Sequence, residues 1–224
     1  MFNEILRIFL KDLRIEFRSK HTISLMILFA MVTIMIIGFS IGPFDIYVSE
    51  VGPGLLWVVF LFAGMLGFGR TVIREKEMGT LEGLKIIPLD SLSIFIGKTI
   101  FNFTLMLIVE ALTLPIFFVI TGYNIKGSIG LAFLLIILGT IGIVIVGSMM
   151  SALIINAKYR EMLLPVITLP LLIPIVILAT LSLKKVLTDG AGFYEVFSEI
   201  KLMLMYIVIM SVISTITFDY SIEE

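Results

Sequence analysis

The chain contains no cysteine, one histidine (His21) and one tryptophan (Trp57). Without cysteine there are no disulfides, no thiolate metal sites, no cofactor attached through a cysteine pair and no cysteine nucleophile. A lone histidine offers one axial metal ligand or one proton relay. His21 stands beside Lys20 at the foot of an apolar run, where its plainer role is to face headgroups. Charge is scarce too: 15% of residues are charged and 59% are hydrophobic, against the roughly half apolar of an ordinary soluble domain. No excess of base favours nucleic acid, because acids accompany the bases in both large polar segments.

Nor is there a nucleotide-binding motif. Residues 97–99 read GKT, but a P-loop needs glycine five positions before Gly97, and position 92 is Leu92. The string also opens an apolar run instead of following a strand. Any ATP-driven work therefore needs another subunit. Neither catalytic groups nor a metal-binding or cofactor-binding cluster stand out.

What the chain does have is length of apolar run. Six segments, near 22–42, 51–69, 99–121, 132–156, 162–183 and 202–218, reach or approach the ~20 residues that cross a hydrocarbon core. Mean hydropathy is +1.17. The expectation is one all-α integral membrane domain, 1–224, with six transmembrane helices and no internal repeat. The first run follows a charged arm and is long enough to span, so it reads as a span, not a cleaved signal peptide. Twelve of the sixteen Lys and Arg fall in 1–21, 70–98 and 157–161, which places both termini in the cytoplasm.

The arm 1–21 has helical periodicity. Phe2, Leu6, Phe9, Leu13 and Phe17 share one face, and Glu4, Arg7, Lys11, Arg14 and Arg18 the other. An interfacial amphipathic helix is expected, its apolar face among lipid tails and its bases near anionic headgroups. The segment 42–54 reads as an outer loop punctuated by Gly42, Pro43, Gly52, Pro53 and Gly54, with Trp57 following at the membrane edge. Gly38 with Gly42, and Gly147 with Ser151, permit close helix packing.

Two spans carry unusual residues. Glu110 is the only charge inside any run, so it must face the bundle interior and find a partner or stay protonated. It reads equally as a substrate-path residue and as a structural acid bonded to a neighbouring helix. Pro165, Pro170 and Pro174 share the fifth span, and each removes a backbone donor, so that helix is expected to bend or break, as a gate or as a packing shape.

Residues 74–90, REKEMGTLEGLKIIPLD, hold seven charges in seventeen positions between two apolar runs. Gly79 breaks the helix that carries Arg74, Glu75 and Glu77 out of the membrane. In TLEGLKII, Leu81, Leu84 and Ile87 recur at spacing three, and Pro88 stops the element. So short a helix needs a partner to be stable, and it reads as a docking surface for another protein.

This segment carries a family resemblance. EKEMGTLEGLKIIP at 75–88, with GK at 97–98, resembles the cytoplasmic loop of ABC-2-type membrane subunits. With LKDLRIEFR (10–18), PGLLWVVFLFAGMLGFGR (53–70) and REMLLPVITLPLLIPIVILA (160–179), the chain resembles the CcmB family. The resemblance implies the membrane subunit of an ABC transporter for cytochrome c maturation in a prokaryotic cell (inner) membrane. It implies a coupling helix between spans two and three, built from Arg74, Glu75, Glu77, Gly79, Thr80, Leu81, Glu82, Leu84 and Pro88, on which a separate ATPase holding ATP and Mg docks. Its further partners would be a haem-handling membrane protein, a haem chaperone and a second membrane half, identical or different. The cargo would be haem, exported or passed on by release of the loaded chaperone. Pro53, Gly54, Trp57, Glu110, Pro165, Pro170 and Pro174 are the candidates for path or gate. An ABC-2-type exporter of lipid, polysaccharide or drug would share these features. A secondary transporter would need more ionisable residues inside the membrane.

Overall fold

The computed structural model describes residues 1–41, 46–77, 91–154, 157 and 159–223. It describes the side chains of these residues except at 46–47, 70–77, 91, 160–161 and 219–223. The described elements are α1 (Phe2–Ser19), α2 (His21–Ile41), α3 (Ile46–Glu77), α4 (Ser91–Thr121), α5 (Ile129–Leu153), α6 (Arg160–Lys184) and α7 (Phe197–Glu223). A π-helical turn, Lys185–Asp189, extends α6, and a 3-10 turn, Phe193–Glu195, precedes α7.

Six of these helices, α2 to α7, are long and apolar enough to cross a membrane. Burial sorts them: 67% of the most apolar window is buried in α3 and 61% in α5, against 22–33% in the other four. The two inner helices run the same way, and α2, α4, α6 and α7 surround them. Exposed Leu28, Ile36 and Phe39 on α2 and Val208, Val212 and Ile216 on α7 form outer faces that suit lipid.

Glycines set how closely the inner helices approach. A Cβ on Gly139 would overlap the Trp57 ring, and one on Gly147 the Phe68 ring. Two aromatic side chains of α3 thus sit in two glycine hollows of α5. Gly142, between them, faces Ile175 of α6 at 2.7 Å from its would-be Cβ.

Both termini lie at one end of the bundle. There α1 crosses α4, with Ile8 against Gly97, and Phe218 of α7 meets Phe95 of α4 with ring centroids 5.1 Å apart. The far end holds the turn between α4 and α5 and the π-helical turn. Lys126 N–H donates to the Leu187 carbonyl there at 3.0 Å, and Gly127 lies against the Val186 carbonyl.

Three boundaries depart from the sequence expectation. Of the loop expected over 42–54, residues 46–54 are helical, and Pro53 stands inside α3. The fourth span starts at Ile129. Of the bend or break expected in the fifth, the break is absent: α6 remains α-helical through Pro165, Pro170 and Pro174.

Candidate functional site

Helix α1 has three faces. Ile8 and Glu16 are buried against the bundle. Phe2, Leu6, Leu10 and Phe17 are exposed and apolar, and Arg7, Arg14 and Arg18 are exposed along a third stripe. Phe9 and Leu13, expected on the lipid side, are partly buried against the core. Two acids fasten the helix. Glu4 Oε2 accepts from Ser93 Oγ of α4 at 3.0 Å. Glu16 Oε1 accepts the Ile23 N–H at 2.9 Å, satisfying a first-turn donor of α2. Lys20, at φ 53°, makes the turn between the two helices. The periodicity of the arm gives no sign of Glu16, because a buried capping acid sits on a face that reads as mixed.

Glu110 lies inside the bundle, 2% exposed. Its Oε1 accepts from Thr140 Oγ1 of α5 at 2.6 Å, while Oε2 has no hydrogen-bond partner among the described residues. The acid therefore faces inward and bonds a neighbouring helix. A second polar bond joins the same helices: Asn102 Nδ2 donates to Ser148 Oγ at 2.9 Å. The two bonds are eight residues apart on each helix, two turns of an antiparallel pair. Asn102 and Glu110 are the legible half of this ladder, as two polar residues at helical spacing in an apolar run. Thr140 and Ser148 give less signal, since a hydroxyl in a span often bonds its own helix.

Trp57 departs from expectation. It is fully buried, edge-on to Phe60 at 5.8 Å, and it packs on α5 instead of lying at a membrane edge. The reason is where α3 begins: from Ile46, eleven residues of helix carry position 57 about 16 Å along the axis. Gly139 then opens the hollow that receives the indole. Its Nε1 has no partner.

Pro53 is buried and Gly54 half-buried, the latter beside Thr180 of α6. Pro53 has no N–H, so the Ser49 carbonyl lacks its i+4 donor. That carbonyl accepts from Thr188 Oγ1 at 2.8 Å, while the Tyr123 hydroxyl, with one hydrogen to give, stands within reach of both the carbonyl at 3.3 Å and Thr188 Oγ1. The two hydroxyl oxygens are 2.6 Å apart, so with Thr188 donating to the carbonyl, Tyr123 donates to Thr188. Burial pushes the Tyr123 hydroxyl above its ordinary pKa, the Thr188 bond opposing. Lys184 pairs with Glu50 at 2.9 Å close by. The far ends of α3, α4 and α6 are thereby clasped together.

Of the fifth-span prolines, Pro165 is half-buried, while Pro170 and Pro174 face outward from the bundle. Tyr206 of α7 donates to the Leu171 carbonyl at 2.6 Å, within the proline-bearing stretch. His21 opens α2 and is exposed. Gly97 of the GKT string is the crossing point of α1: a Cβ there would meet Ile8 Cγ2 at 2.9 Å and the Ile5 carbonyl oxygen at 3.2 Å. Arg74, Glu75 and Glu77 fall in the last turns of α3. Gly79, Thr80, Leu81, Glu82, Leu84 and Pro88, and with them the expected coupling helix, lie outside the described residues. No group of His, Asp and Glu among the described residues could hold a metal ion.

Six spanning helices, two enclosed by four and tied by polar bonds between helices, define a multi-pass helical membrane protein. The chain belongs to the CcmB family: the model of that family, described as CcmB protein, matches residues 3–224. Among its relatives is heme exporter protein B of Rhodobacter capsulatus, 26% identical over 167 residues, 75% of this chain and 76% of that one. Heme exporter protein B of Pseudomonas aeruginosa is 25% identical over 174 residues, 78% of each chain. The protein of the same name from Escherichia coli K12 is 30% identical over a shorter 92 residues, 41% of this chain and 42% of that one.

Proposed function

We propose that this chain is the transmembrane subunit of an ABC transporter serving cytochrome c maturation. It would couple ATP hydrolysis on a separate subunit to haem export or to release of a haem-loaded chaperone. The observation that carries this reading is the family match over residues 3–224, which includes the polar segment between α3 and α4. The chain supplies no catalytic group; ATP and Mg belong to the partner ATPase, and haem is cargo. Haem-handling proteins and a second membrane half, a copy of this chain or a different one, complete the assembly in a prokaryotic inner membrane. Both termini face the cytoplasm, and α1 lies in the interface with its apolar stripe in lipid and its arginines at the headgroups.

The proposed mechanism follows from what the segment joins. The ATPase engages Arg74 to Pro88, and its closure pushes on the ends of α3 and α4 together. Helix α4 carries α1 through Ser93 and Gly97, and α5 through its two polar bonds. A push on α4 therefore moves three helices as a unit, while the clasp at the far end resists separation. Such a rigid-body displacement changes access or partner affinity on the outer face.

The test is co-purification in mild detergent of this chain with the host's cytochrome-maturation ATPase and haem-handling proteins. Recovery of both with a haem absorbance band, and loss of the ATPase in Glu82→Lys, is expected. Recovery of an ATPase without any haem-handling partner would shift the reading to a general ABC-2-type exporter. Failure to bind any ATPase would overturn it.

A further inference from the structure

Of the buried polar atoms without a partner among the described residues, two complement each other chemically. Trp57 Nε1 can only donate, and Glu110 Oε2 is a carboxyl oxygen able to accept. Both side chains rest on one turn of α5, the indole over Gly139 and the carboxyl on Thr140. Their depths agree by a separate contact. A Cβ on Gly64 of α3 would meet Met106 Sδ of α4 at 3.2 Å, and the two helices are antiparallel. Seven residues onward along each brings Trp57 to within about a turn of Thr113. Glu110 is three residues from Thr113, about 4.5 Å of helix rise. Thr113 is fully buried, and its hydroxyl donates to the Val109 carbonyl at 2.7 Å, which leaves its oxygen able to accept.

The geometry points to a binding site for one water molecule at this junction of α3, α4 and α5. The water accepts from Trp57 Nε1 and donates to Glu110 Oε2 and Thr113 Oγ1. Three bonds match what a buried water ordinarily makes. Direct pairing of indole and carboxyl would satisfy the same two atoms, but the structure does not make it: neither atom has a partner among the described residues. The inference holds whatever the cargo is, since it concerns only these helices. Its consequence is mechanical: the site bridges α3 and α4, the two helices joined by the polar segment 78–90. A bridging water can keep both helices bonded while they slide by a fraction of a turn, which a fixed side-chain contact cannot.

The single tryptophan makes the site directly observable. The full-length chain, labelled with 15N in the indole and placed in lipid nanodiscs, gives one indole N–H resonance. A cross-peak from that proton to a long-lived water is expected. It should persist in Glu110→Gln, whose amide still offers the water a hydrogen-bonding group beside the one that meets Thr140, and vanish in Glu110→Leu. No water cross-peak in the unsubstituted protein overturns the site. A cross-peak that survives Glu110→Leu also overturns it, because the water would then be held by other groups. The first measurement stands even if Glu110→Leu fails to fold.

Discussion

The Ser49 carbonyl accepts from Thr188 Oγ1 at 2.8 Å, across the far end of the bundle, because Pro53 has removed the donor that its own helix would supply. A proline that would weaken α3 in isolation thus provides the attachment point for the turn after α6. Thr188→Val should cost about 0.5–1.5 kcal/mol, the usual net value of one hydrogen bond. In a Pro53→Ala background, where position 53 regains its N–H, the same substitution should cost clearly less. A double-mutant cycle on thermal unfolding in detergent measures the difference. Equal costs in both backgrounds would show the two residues to be independent.

The bond between Asn102 and Ser148 at 2.9 Å should register α4 against α5. Coupling between Asn102→Ala and Ser148→Ala is expected at about 0.6–2 kcal/mol, the range for polar contacts between membrane helices. Chemical unfolding of the two single variants and the double variant in mixed micelles provides the number.

Glycine positions should divide sharply. Gly139→Ala and Gly147→Ala drive a methyl into Trp57 and Phe68, and each should lower stability by about 1–3 kcal/mol. Gly130 is exposed in the first turn of α5, with nothing closer than 3.8 Å to its would-be Cβ. Gly130→Ala should be neutral or slightly stabilising, since alanine holds a helix better than glycine. Phe68→Leu should recover part of the loss in Gly147→Ala. Melting temperatures of the four variants decide the matter.

Because the chain has no cysteine, any introduced thiol reports alone. Tyr194 is 93% exposed at the far end, and Ser19 is exposed at the end of the termini. In intact cells, Tyr194→Cys should react with a membrane-impermeant maleimide added outside, and Ser19→Cys only after permeabilisation. The reverse pattern would place the termini outside and refute the orientation read from the basic residues.

The spans, their number and the inward-facing acid are legible in the linear sequence, because a hydrocarbon solvent leaves few alternatives. A run of some twenty apolar residues has to bond its own backbone as a helix, and a carboxyl at that depth has to turn away from lipid. The family, too, is readable from short stretches such as PGLLW and the proline-bearing span. Neighbours are another matter. Hydropathy does not say that α3 and α5 are the enclosed pair, that Gly97 receives α1, or that Glu16 caps α2. Trp57 shows the limit most clearly: an indole near the end of an apolar run suits the membrane edge equally well, and it takes the early start of α3 and the glycine at 139, eighty-two positions away, to place it inside.

Local composition and backbone chemistry set the membrane solvent and the helices. Only the tertiary structure decided which helices touch and which polar atoms meet. Those outcomes depend on side-chain volume and hydrogen-bond complementarity between segments far apart in the chain. Lipid, as apolar as leucine, offers no hydrophobic preference to reveal them in advance.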